Sequence, residues 1–229
     1  MGSVRVVSFD LDGTITDLSF VNSVWLEGMP RLYALKNGLA FEDAKNSVMS
    51  EYGKVGRERL EWYDISYWIA KLGLDVSPEE VLSSFEDKIR IFPEVIEVLE
   101  ELRDKGLRLI IVTNARREFA DLELERTKIG HYFERVFSST SDFGRIKKTV
   151  SLYKKVCSIC DVSPKETIHV GDDRRFDFDV PNKLGMMAFY LDRTGEHSGK
   201  HVIHNLRELS KKLSTRTPQS ACKKNHEQK

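Results

Sequence analysis

The sequence predicts an α/β protein: a Rossmann-like parallel-sheet core with an all-helical block inserted after its first strand. Three observations predict it. Residues 4–9 form a β-branched, apolar run with little alternation, the pattern of a strand buried on both faces. Residues 18–90 change to helical periodicity. After Pro93, helices and short apolar strands alternate, as βαβ units do.

The first strand ends in a turn at Asp12-Gly13-Thr14. In the inserted block, Val21, Val24, Trp25 and Gly28 share a face, and Pro30 interrupts or restarts that helix. Phe41, Ala44, Val48 and Tyr52 make a second face; Glu61, Ile65, Trp68 and Leu72 make a third. Ser77-Pro78-Glu79-Glu80 is a helix start, with Ser as N-cap, Pro in the first turn and Glu at the third position. Roughly four helices are expected there.

Past Pro93, Val95, Val98, Leu99 and Leu102 mark an amphipathic helix that Gly106 ends. Strands are expected at residues 107–113, 135–138, 167–171 and 187–191. Helices are expected at 116–128, 149–160 and 205–213. The core is therefore residues 1–16 with 93–213, and the insertion is residues 17–92. Residues 214–229 have almost no apolar side chain and read as a disordered tail.

Lys+Arg and Asp+Glu are both 36 in a chain of 229, so no global basic field exists to hold nucleic acid. The apolar runs are too short to span a bilayer, and no signal peptide fits the N-terminus. Cys157 and Cys160 form a lone C-x-x-C with no second pair, and Cys222 stands alone, so neither a disulfide framework nor a four-cysteine zinc site is expected. A soluble cytoplasmic protein is the expectation.

Ligands of an open parallel sheet bind beyond the carboxyl ends of its strands. There the chain places Asp10 and Asp12, then Thr113 and Asn114, then Lys147 and Lys148, then Asp172 and Asp173 with Asp177 and Asp179 close behind. This set resembles the haloacid dehalogenase superfamily. Asp10-x-Asp12-Gly13-Thr14 is similar to its first motif and Thr113-Asn114 to its second. Gly144-Arg145-Ile146-Lys147 resembles the third, and Gly171-Asp172 with Asp177 the fourth; Gly185 follows as a glycine often does in the family. The likeness spans residues 4–191. It implies a phosphatase that uses magnesium, with the insertion as a C1-type cap over the site. Where the family often has Pro after the third-motif lysine, this chain has Lys148; the Gly144 spacing favours Lys147.

The residue chemistry agrees. Asp10 and Asp12, two apart at a strand end, can face one pocket. Asp10 is suited to attack phosphorus, giving an aspartyl-phosphate, while Asp12 gives and takes the proton. Thr113 and Asn114 offer a hydroxyl and a backbone N–H to phosphate oxygens near a helix start. Lys147 would pair with Asp10 and the phosphoryl group. Hard carboxylates beside a phosphate favour Mg2+, held by Asp10, the Asp12 backbone carbonyl and Asp172. Asp173 or Asp177 would support the site from behind, and Asp179 would cap the next helix. His169 reads as a buried, hydrogen-bonded strand histidine. His197, His201 and His204 show no acid partner in register.

The aromatic set Trp62, Tyr63, Tyr67 and Trp68 is read first as the packing of the inserted block; lining the pocket is the alternative, with Arg57 or Arg59 reaching the substrate. The expected partner is a small phosphorylated molecule; sugar phosphates, phosphoglycolate-like acids and nucleotides all remain open, and oligomeric state is not legible. Alternatives are a phosphomutase, a 2-haloacid dehalogenase, for which a second acid at Asp12 has no use, and a non-catalytic module on the same fold.

Overall fold

The computed structural model describes residues 3–214. The expected tail at 214–229, and Cys222 with it, lies outside the described residues but for Ser214, the last residue of the closing helix. The sheet has six parallel strands: β1 (Val6–Phe9), β2 (Arg108–Thr113), β3 (Arg135–Ser138), β4 (Thr167–Gly171), β5 (Met187–Leu191) and β6 (Val202–Ile203). Their order is β3-β2-β1-β4-β5-β6. The order reverses between β1 and β4, which leaves a crevice beyond their carboxyl ends. Phe9 pairs with Val170, so Asp10 emerges beside Gly171.

Helices cover both faces of the sheet. α6 (Val95–Asp104), α7 (Arg117–Thr127) and α10 (Leu206–Ser214) flank it together with α8 (Val150–Ile159) and α9 (Val180–Leu184). One buried cluster joins β1, β2, β4 and β5 to α6, α7 and α10; another packs Val6, Ile110 and Val112 against Leu152, Tyr153 and Val156 of α8. β1 is wholly buried, which explains its unalternated apolar run. It is shorter than the run by two residues, because pairing with both neighbours starts at Val6.

The insertion contains five helices rather than four: α1 (Ser19–Ser23), α2 (Met29–Asn37), α3 (Phe41–Val55), α4 (Ile65–Lys71) and α5 (Pro78–Ser83). Pro30 does not break the chain. A π-helical turn at Val24–Gly28 carries α1 into α2, with Pro30 in the first turn of α2. Widening the turn just before the proline accommodates its missing N–H and its ring. Gly28 is needed there, since a Cβ would lie 2.5 Å from the Phe85 ring. Glu61 falls in a separate 3-10 turn at Leu60–Tyr63, so α4 starts at Ile65 with Asp64 capping the Tyr67 N–H. The capping box at Ser77 and Glu80 forms.

The insertion has its own buried cluster, built on Phe20, Val24, Val48, Tyr52, Ile65 and Trp68. Its two connections to the core run side by side: Asp17 donates to the Arg90 carbonyl and Phe92 to that of Ile15. Phe119 of α7 packs into the insertion's cluster and joins the two parts. Cys157 and Cys160 are buried, unpaired packing residues of α8 and its end. Among the described residues, no helix is long and apolar enough to cross a membrane.

Candidate active site

Asp10 stands at the end of β1, 8% exposed, its N–H held by the Val170 carbonyl. The chain then folds into a tight turn: the N–H groups of Thr14, Ile15 and Thr16 all point to the Leu11 carbonyl, and Gly13 donates to Thr16. Gly13 takes φ +75°, and a Cβ there would sit 2.3 Å from an Asp172 carboxylate oxygen. Only glycine allows this approach. The turn brings Asp172, at the end of β4, against the β1 loop.

The carboxylates of Asp10, Asp172 and Asp177 each offer an oxygen within 4.8 Å of the others, a spacing suited to a cation. Asp177 is fully buried and its oxygens are taken. Oδ1 accepts from Lys148 at 2.6 Å and from His169 at 3.0 Å, and Oδ2 accepts from the Asp173 N–H at 3.1 Å. It orients Lys148 rather than facing the crevice. Gly171 makes room for it, since a Cβ would come 2.4 Å from the Asp177 carboxyl carbon.

The lysine of the site is Lys148. Its ammonium is 1% exposed and lies 2.7 Å from Asp10 and 2.6 Å from Asp177. Lys147, expected to pair with Asp10, instead reaches outward to Glu58 of the insertion. The physical reason is register. Thr149 caps α8 through the Leu152 N–H, and the two lysines just before that cap point opposite ways, Lys148 to Asp10 and Asp177 and Lys147 to Glu58. Burial alone would lower the Lys148 pKa, but the two carboxylates overturn that and hold it charged and raised. Burial would likewise raise Asp177, yet Lys148 and His169 keep it well below the usual carboxylate range.

His169 is the buried strand histidine expected. Nδ1 meets Ser8 Oγ at 2.8 Å, while Nε2 meets Asp177 at 3.0 Å and the Tyr153 hydroxyl at 2.9 Å. Because a carboxylate only accepts, Nε2 carries the proton toward Asp177. Burial holds the ring's pKa down.

The Asp12 Oδ1 and the Thr14 hydroxyl are buried without a hydrogen-bond partner. Burial pushes Asp12 up to about 6 and Asp172 to about 6, and raises Asp10 well above its ordinary value. The Lys148 charge also acts on Asp12, opposing its rise. Beside Asp12 lies Glu123 of α7, 1% exposed, with both carboxylate oxygens lacking a partner. Burial first, and then the charge of Asp12, raise Glu123 strongly.

Thr113 ends β2 and Asn114 follows it, but the N-cap of α7 is Arg116, so neither caps that helix. The Thr113 hydroxyl accepts from the Ala115 N–H at 3.0 Å, which leaves its own proton to donate. The Asn114 amide oxygen is tied to Ser139 at 2.7 Å. Asp173 is exposed and caps the π-helical turn Arg174–Asp179 through the N–H groups of Arg175 and Phe176, so only its backbone supports Asp177. Asp179 makes no side-chain cap of α9 and pairs at 3.8 Å with Arg174. The histidine segment also differs from expectation: His197 lies 3.1 Å from Asp192.

Sequence reasoning did not find Glu123, Arg193 or Ser139. Arg193 is a clamp behind the turn that follows Asp10: it donates to the Thr14 carbonyl at 2.8 Å, the Gly13 carbonyl at 3.3 Å and Glu94 at 2.8 Å, and lies over the Phe92 ring. Its only sequence signal is its place two residues past the end of β5. Of the four aromatic residues singled out, Trp68 is core, its indole N–H donating to the Trp62 carbonyl, whereas Trp62 and Tyr63 line a cavity of about 490 Å³ with Arg57. Arg59 turns away to Glu61.

A family model for haloacid dehalogenase-like hydrolases matches residues 4–180. The chain is 28% identical over 196 residues to the GMP/IMP nucleotidase YrfG of Escherichia coli (strain K12), covering 86% of each. Among solved structures it is similar to the HAD phosphatase from Thermococcus onnurineus, with 29% identity, a TM-score of 0.81, and coverage of 92% of this chain and 98% of that one. The fold alone is shared with a 2-haloacid dehalogenase from Pseudomonas syringae pv. Tomato DC3000, at 22% identity and TM-score 0.66 over 93% of this chain and 99% of that one.

Proposed function

The chain belongs to the haloacid dehalogenase-like hydrolases, and within that family we propose a magnesium-dependent phosphatase that cleaves small phosphate monoesters through an aspartyl-phosphate. The observation that carries this reading is the Asp10 carboxylate at the strand reversal, held 2.7 Å from a buried Lys148 and within 4.8 Å of a second carboxylate from Asp172. The phosphatase and nucleotidase relatives point the same way.

The residues fit the metal that the family implies. Asp10 and Asp172 are hard oxygen donors whose crowding is relieved by a divalent cation, and the Gly13 approach cradles the Asp172 oxygen. Asp10, Asp172 and the Asp12 main-chain carbonyl would hold Mg2+, which supplies charge neutralisation for an anionic substrate.

In this reading Asp10 attacks phosphorus and the alcohol leaves. Asp12, at about 6, sits where one carboxyl can donate a proton to the leaving oxygen and later accept one from water. The neighbouring Glu123, raised by burial and by the charge of Asp12, keeps its own proton beside it. Lys148 holds Asp10 in place and neutralises the phosphoryl oxygens, with Asp177 and His169 fixing its position. Thr113 donates its hydroxyl proton to the phosphoryl group. The insertion acts as a cap that excludes water.

The test is release of inorganic phosphate from 4-nitrophenyl phosphate with Mg2+, for wild type and Asp10→Asn. Turnover that vanishes in the variant and in chelator supports the proposal. Full turnover by Asp10→Asn removes the nucleophile, and ester consumption that requires an added sugar acceptor and yields a sugar phosphate in place of free phosphate indicates a mutase.

A further inference from the structure

The cavity between the insertion and the core bears on which phosphate ester is taken, a question that rests on the phosphatase reading. Its inner end is Asp12 and Asn114, so it lies on the side where Asp12 would protonate the leaving oxygen. It is therefore the leaving group's compartment. At about 490 Å³ it falls in the range that holds a drug-sized ligand.

Its walls are aromatic. Trp25 of the insertion stacks on Phe119 of α7 at 5.6 Å and 15°. Trp25 meets Tyr52 edge-on at 6.0 Å, and Tyr52 meets Trp62 at 5.7 Å. Four rings thus make one continuous lining drawn from both parts of the chain. The polar groups are few, and one is committed: Arg116 is held by Asp64 at 3.2 Å and Glu118 at 3.1 Å. Arg57 is exposed and lies 5.7 Å over the Trp62 ring, with no ion pair among the described residues.

These walls discriminate between ligand classes. A sugar needs hydrogen bonds along both faces, and a two- or three-carbon acid would leave most of the space as water against apolar rings. A planar π system gains stacking contact with the rings, and the Arg57 guanidinium offers donors to its ring acceptors. We infer that the leaving group is a nucleoside and the substrate a nucleoside 5′-monophosphate, its base in the compartment walled by Trp25, Trp62 and Phe119 and its phosphate at Asp10.

The experiment compares kcat/KM for guanosine 5′-monophosphate, glucose 6-phosphate and glycerol 3-phosphate, with 4-nitrophenyl phosphate as the generic ester. The nucleotide is expected to exceed glycerol 3-phosphate by at least about 100-fold, since loss of one base-on-ring contact alone is worth roughly 10- to 100-fold. Trp62→Ala should lower the nucleotide-to-glycerol ratio by about 10-fold or more, and Trp62→Phe should recover most of it. Guanosine alone should inhibit hydrolysis of 4-nitrophenyl phosphate competitively, a readout that needs no variant to fold. Glycerol 3-phosphate or glucose 6-phosphate hydrolysed as well as the nucleotide, an unchanged ratio in Trp62→Ala, or no inhibition by guanosine overturns the inference and leaves the phosphatase standing. Absence of turnover on every ester takes both down.

Discussion

Replacing Lys148 with Met, against Lys147 with Met, separates the two lysines by a wide margin. Lys148 touches two buried carboxylates at 2.7 and 2.6 Å. At an effective dielectric of about 20, each contact is worth about 6 kcal/mol before desolvation. Desolvating three charges removes most of that, but deleting one member of a buried set leaves the others uncompensated, at a net cost of about 3–5 kcal/mol. In a domain of this size that is a fall in Tm of roughly 10 °C. Turnover should fall by about 10²- to 10³-fold or more, the usual loss when a preorganised group facing the reacting oxygens is removed.

Lys147 pairs with a Glu58 side chain that is 73% exposed. Such a pair contributes at most about 1 kcal/mol. Thermal melts in chelator and steady-state turnover with Mg2+ on both variants give the result. Equal losses, or a larger loss for Lys147→Met, would refute the argument that register buries only the second lysine.

Arg193→Met removes a clamp on two main-chain carbonyls of the turn that follows Asp10, so kcat should drop by about 10-fold with little change in KM; Arg193→Lys should not rescue it, because one ammonium cannot replace the planar fork. Gly13→Ala places a methyl against Asp172 at a left-handed φ, so calorimetry should show Mg2+ affinity reduced by at least about 10-fold; an unchanged affinity removes the cradle. Metal-free protein should lose stability as pH rises from 5 to 8. Asp12 and Asp172 titrate at about 6 in the fold, above their unfolded values, so the folded state binds the extra protons and what they stabilise at low pH disappears as they ionise. Over that interval each loses about 1.4 kcal/mol, together a fall in Tm of roughly 5–10 °C in chelator, which added Mg2+ should offset more at pH 8 than at pH 5; a Tm that is flat or rises over that interval contradicts the carboxyl crowding.

Most of the sheet was legible because buried parallel strands leave a local signature. The runs at Arg135–Ser138, Thr167–Gly171 and Met187–Leu191 coincide with strands β3, β4 and β5. β6 was missed, since two residues carry no period. The ends of the strands carried Asp10, Asp12, Thr113 and Asp172 to the crevice, because a strand's end is a local property. Lys148 could not be separated from Lys147 by motif spacing alone; the Thr149 cap decides which one turns inward. Glu123 lay hidden in a helix of weak amphipathicity, where an acid reads as solvent-facing until the packing of α7 on the Asp12 turn is known. The aromatic residues split for the same reason: Trp68 and Trp62 share a helical neighbourhood, but only tertiary packing puts Trp62 on the cavity wall.

The crowding of acids also argues between phosphorus and carbon as the centre attacked. Asp10, Asp172 and Asp177 crowd around a single buried ammonium, Lys148, and Asp12 and Glu123 lie together beside Asp10. Five neighbouring carboxyl groups with one buried ammonium among them cannot all ionise at neutral pH without a further positive charge or retained protons. Displacement of a halide from carbon by Asp10 gains nothing from Asp12, Glu123 or Asp172, and each would only destabilise the fold. Phosphoryl transfer gives these groups a use: a carboxyl at Asp12, raised by burial, to pass a proton to the leaving alcohol, and Asp172 to share a divalent cation with Asp10. The shared backbone of the dehalogenase therefore leaves the reaction undecided, and the buried charge arrangement favours phosphate.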